Sequence, residues 1–84
     1  MEISSEQVRA ARALLRWEQK HLAEASGIFL PSIKRLESQP GALGAHEKTL
    51  DALISAFEMA GVTFLADGET ASGGPGVRLR GATE

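Results

Sequence analysis

Residues 19–37 read Gln19-Lys-His-Leu-Ala-Glu-Ala-Ser-Gly-Ile-Phe-Leu-Pro-Ser-Ile-Lys-Arg-Leu-Glu37. The stretch divides at Gly27 into two short amphipathic segments, the layout of a helix-turn-helix. Leu22 and Ala23 can face inward from the first segment, and Ile33 and Leu36 from the second, at helical spacing. Ala23 is small where the two helices would cross. Gly27 can take the positive φ that a tight turn between them requires. Pro31 suits the first turn of the second helix, where no intrahelical N–H bond is lost. Lys34 and Arg35 then fall on the outer side.

On the N-terminal side, Ser4 or Ser5 can cap a preceding helix whose first turn holds Glu6, where a carboxylate favours the helix dipole. Val8, Ala11, Leu14 and Leu15 recur at helical spacing, so this helix is expected from about Ser5 to Arg16. A break near Trp17 and Glu18 leads into a helix at about Gln19–Ala25. Trp17 is expected to lid the core at that corner. The third helix is expected to begin near Leu30 and end around Ser38. Beyond a Pro- and Gly-containing loop at 39–44, Leu50, Leu53, Ile54 and Phe57 form one stripe of a fourth helix at about His46–Ala60. Gly61 is the expected C′ residue.

After Gly61 the period changes. Val62 and Phe64 alternate with Thr63 and Leu65, and Val77 and Leu79 alternate with Arg78 and Arg80. Two short strands are expected, joined by a long mobile loop over 67–76. An isolated pair of strands is marginal in water, so this hairpin must pack on the helices or on a second subunit.

Composition bounds the rest. At 84 residues and 43% hydrophobic content, the chain is one small domain with a single core. No apolar run approaches the roughly 18 residues that span a bilayer. The N-terminus lacks the basic and apolar blocks of a signal peptide. Without cysteine there is no disulfide, thiol nucleophile or cysteine-bound zinc. A soluble cytoplasmic protein is expected. The net charge is −2, yet residues 1–35 carry +2 and residues 36–84 carry −4, so positive charge gathers in the half with the helix pair. A low net charge limits non-specific adhesion to nucleic acid and leaves affinity to a few placed contacts.

The spacing Gln19…Leu22-Ala23…Ser26-Gly27-Ile28…Ile33…Leu36-Glu37 resembles the DNA-binding domains of the phage repressor and Cro type, the XRE family. The resemblance covers residues 5–60. It implies a mainly α fold, a four-helix, lambda-repressor-like helix-turn-helix domain over residues 1–61; the alternation after Gly61 adds a short C-terminal β-hairpin or flexible tail over 62–84. It also implies a structural ion pair between Arg12 and Glu37, tying the first helix to the end of the third. Carried over by position, Gln19 resembles the family's phosphate- or base-anchoring glutamine. The helix at 30–38 would be the recognition helix in the major groove, its N-terminal residues nearest the bases. Phe29, Leu30, Pro31, Lys34 and Arg35 match base-facing positions. Ser32 and Ser38 would lie near phosphates, and Arg16 and Lys20 are placed for backbone phosphates. Phe29 departs from the family pattern, which usually has a capping serine or threonine there.

These residues imply a bacterial or phage transcriptional regulator that binds a palindromic or pseudo-palindromic operator, without cofactor or enzymatic activity. No nucleophile sits with a base, no carboxylates pair in a defined cleft, and the glycines at 73–76 follow no strand-to-helix transition. His21 and His46 lie in different elements without ligand neighbours, so no metal is expected. One helix pair buries too little surface for tight operator binding. A homodimer reading half-sites one helical turn apart, about 34 Å, is therefore expected on double-stranded DNA at the nucleoid. Val62, Phe64, Leu65, Val77 and Leu79 are the candidate dimer surface, because exposed strand edges invite pairing. A chain ending at Gly61 is then expected to fold as a monomer with weak DNA affinity. The alternative is a protein-interaction module, antiactivator or antitoxin-like, with Phe29 and Leu30 as its apolar contacts.

Overall fold

The computed structural model describes residues 2–66, 68 and 73–80. Among these, α1 (Ser5–Leu15), α2 (Gln19–Ser26), α3 (Leu30–Glu37) and α4 (Glu47–Met59) precede a hairpin of β1 (Val62–Leu65) and β2 (Gly76–Leu79). The architecture is mainly α, and the hairpin is antiparallel with Val62 opposite Leu79 and Leu65 opposite Gly76. Asp67 and residues 69–72, where most of the long loop was expected, lie outside the described residues.

Three helix ends have a clear local cause. At the start of α1, the Ser4 hydroxyl accepts from the Gln7 backbone N–H at 3.1 Å, and the Gln7 side-chain oxygen accepts from Ser4 N–H at 2.9 Å. This reciprocal capping box satisfies two donors that the first turn leaves free. α1 stops one residue short of the expected Arg16, which adopts the left-handed conformation (φ 56°, ψ 39°) while Trp17 N–H closes onto Arg12 C=O at 2.9 Å. α2 ends at Gly27 with φ 77°. A Cβ there would meet nothing within 4 Å, so the turn selects glycine for its dihedral and not for space.

The core gathers Ile3, Val8, Ala11, Leu22, Ile33, Leu36, Leu53, Ala56, Phe57, Val62 and Phe64. Phe57 is its hub. It stacks on Trp17 (centroids 5.7 Å apart) and meets Phe64 edge-on at 5.6 Å, both favourable aromatic geometries. Trp17 is half-buried, closing the α1–α2 corner over that ring.

The hairpin corrects the expectation for the dimer surface. Val62 is 0% and Phe64 2% exposed, so both point into the protomer's own core and cannot meet a partner. The reason is that β1 and β2 fold back against α1, and β1 against α4, which buries the apolar face of the alternation internally. Leu65 and Val77 are half-buried, and Leu79 alone of the five is exposed. Gln7, buried at 5%, fastens the hairpin: its amide Nε2 donates to Leu65 C=O at 3.2 Å and Gly76 C=O at 3.0 Å. One side chain thus caps α1 and ties both strands to it.

The N-terminus adds a link that periodicity did not indicate. Ser5 N–H donates to Gly41 C=O at 2.9 Å and Leu43 N–H to Ile3 C=O at 3.1 Å, pinning the α3–α4 connection beside α1 and burying Ile3. Glu6 reinforces this by accepting from Gly41 N–H. Backbone N–H donation from Glu6 itself and from Gly41 holds its carboxyl below the usual range.

Candidate nucleic-acid interface

α3 presents two chemically distinct faces. Ile33, Leu36 and Glu37 are buried. Pro31, Lys34, Arg35 and Ser38 are exposed, and their spacing places them on one outward stripe. Neither Lys34 nor Arg35 has a side-chain partner among the described residues. Their charge is therefore available to a ligand.

The inward face is clamped. Arg12 Nε donates to Glu37 Oε2 at 2.8 Å and Arg12 Nη2 to Glu37 Oε1 at 2.7 Å, a bidentate fork that fixes orientation as well as distance. The Glu37 side chain is only 4% exposed and that of Arg12 19%. Gln19 Nε2 donates to the same Glu37 Oε1 at 3.1 Å. Arg12 also holds Trp17 C=O at 3.0 Å, and Arg9 reaches Glu37 C=O at 2.6 Å. The last turn of α3 is thus fastened to α1 and to the first turn of α2, and the outward stripe rides on a rigid support. Gln19 has one amide hydrogen committed to this clamp, leaving its other hydrogen and its Oε1 for a ligand.

The remaining sequence candidates divide by exposure. Arg16 and Lys20 are exposed, Lys20 lying 3.7 Å from Glu18 in a solvent-screened pair of little energetic weight. Phe29 is 83% exposed and stands at the N-cap of α3 without a side-chain cap bond. Leu30 and Ser32 are half-buried. Ser38 donates its hydroxyl to Arg35 C=O at 2.7 Å, which ties it to the helix end. Beside the stripe, Ser32 and Arg35 share a groove of about 220 Å³ with Gly44, His46 and Thr49. The sequence marked His46 only as a helix start and an isolated histidine, and Thr49 not at all, because the path of the α3–α4 connection depends on its long-range bonds to residues 3–6.

Arg16 separates structure from surface. A non-glycine residue in the left-handed region costs about 1–2 kcal/mol, so Arg16→Gly is expected to melt no lower than the parent chain. A fall in melting temperature would show that the arginine side chain itself braces the corner. No protein-family model matches the chain, and comparison with curated proteins and with solved structures found no match either. Among the described residues, no helix is long and apolar enough to cross a membrane.

Proposed function

We propose that the protein is a sequence-specific, double-stranded-DNA-binding transcriptional regulator of the repressor and Cro type. α2 and α3 form its helix-turn-helix, and α3 enters the major groove. The observation that carries this reading is the contrast across α3. Two unpaired cations stand on its open face, while its other face is locked to α1 and α2 through Glu37. Base readout requires donors held in a fixed frame, and Arg or Lys against guanine O6 and N7 is the commonest specific contact. Arg16 and Lys20 would hold backbone phosphates, which position without reading sequence. The chain would act as a homodimer without cofactor or catalytic activity.

Arg35→Ala is expected to weaken operator binding by about 1–3 kcal/mol and relax specificity at one position. The melting temperature should not change, since the side chain makes no bond among the described residues. Footprinting on a selected operator, paired with thermal melts, checks both. An unchanged footprint would remove α3 from the interface. Arg16→Gly should instead weaken binding evenly across sequences and reduce the salt slope by about one unit.

A second reading is favoured by one observation. Phe29 leaves α3 uncapped and exposes an aromatic ring, which also suits a protein-interaction module. That reading expects binding without a duplex and little response to salt.

A further inference from the structure

We propose that the leading end of α3 reads thymine through its C5 methyl group, with Phe29 making the contact. The inference rests on the DNA-binding reading above and assigns it a base preference.

Phe29 is costly where it stands. Its backbone is extended (φ −60°, ψ 139°) at the N-cap, and its side chain satisfies none of the first-turn N–H groups, a role that serine, threonine or aspartate fills. Its ring is 83% exposed, whereas the aromatic contacts of the core join Trp17, Phe57 and Phe64. Nothing in the described fold uses the ring. Positions that break a local rule without a compensating contact are where function is sought.

The neighbours define the chemistry. Phe29, Leu30 and Pro31 are three consecutive residues whose side chains neither donate nor accept a hydrogen bond. They lead directly into the stripe that carries Lys34 and Arg35. An exposed aromatic ring at the N-cap of the helix that carries the exposed Lys34 and Arg35 fits a polyanion that also presents apolar groups. In the major groove of unmodified DNA that group is the thymine methyl, which Phe can contact. Phe29 and Arg35 are six residues apart, about 9 Å along a helix at ~1.5 Å per residue. At ~3.4 Å per base step, the thymine lies within about three base pairs of the guanine read by Lys34 or Arg35.

The test uses the full chain. A duplex is first selected from a random-sequence pool, and each thymine of a half-site is then replaced singly by deoxyuridine, which removes only the methyl group. Loss of one buried methyl is expected to weaken binding about fourfold at one position or two adjacent ones. Phe29→Ser restores a capping side chain, so it should melt no lower than the parent, and it should bind thymine and uracil duplexes equally. The proposal is overturned if the parent chain is indifferent to every thymine-to-uracil change, or if Phe29→Ser keeps the discrimination. In either case the DNA-binding reading stands, because a sequence was selected. If no duplex sequence is enriched, that reading falls and the proposal with it, and a protein partner becomes the occupant of this tip.

Discussion

Arg12→Ala is expected to lower stability by about 3–5 kcal/mol, because it strands a buried carboxylate without its cation. For a domain of this size that corresponds to a fall in melting temperature of about 12–40 °C. Glu37 would retain Gln19 as a partner, but one neutral donor does not replace a bidentate guanidinium. The Arg12→Ala/Glu37→Ala double variant should lose less than the sum of the two single losses, the signature of a direct interaction. Thermal denaturation of all three variants measures this. Additive losses, or a single loss below about 1 kcal/mol, would reduce the pair to a surface contact. Arg35→Ala, on the open face of the same helix, should do the opposite: stability unchanged, binding impaired.

Truncation after Gly61 is expected to abolish folding. It removes Val62 and Phe64, which are almost fully buried, and the edge-on partner of Phe57. It also leaves the Gln7 amide without the two carbonyls it holds. Losing a buried Phe side chain alone costs about 3–5 kcal/mol, and a domain of this length has about 4–12 kcal/mol in total. Circular dichroism of the truncated chain should therefore show largely lost helix at 25 °C. A cooperative melt close to that of the full chain would mean the hairpin is an appendage. The strand pattern allowed the hairpin to pack on the helices or on a second subunit; with Val62 and Phe64 buried against the helices, the expectation of a folded 1–61 monomer gives way to this one.

That reversal marks where sequence stops being informative. Alternation in 62–65 identifies one apolar face, but it does not say whether that face meets the protomer's own helices or another subunit. The helices were legible because Leu22, Ile33, Leu36, Leu53 and Phe57 repeat at helical spacing, and Gly27 and Gly61 punctuate them. The Arg12–Glu37 pairing came from family likeness, since spacing alone gives no reason for two residues so distant in sequence to meet. Gln7, Ile3 and the bonds from residues 3–6 to residues 41–43 were not legible. They depend on backbone groups brought together only once the helices have packed. Arg16 reads as one more helical residue, and its left-handed dihedral is set by the chain reversal at Trp17. In the candidate site, the exposure of Lys34 and Arg35 follows from the periodicity of α3. The commitment of Gln19 to Glu37 does not.

The central claim is that the open face of α3, backed by the Glu37 clamp, binds duplex DNA through fixed cations. The most direct measurement is the affinity of the full-length protein for a selected duplex as salt rises from about 50 to 200 mM. Phosphate contacts by Arg16 and Lys20 predict that log K falls linearly with log salt, with a slope of about −0.9 per neutralised phosphate and about −2 in all. A flat dependence, or no measurable duplex binding at the low-salt end, would contradict it.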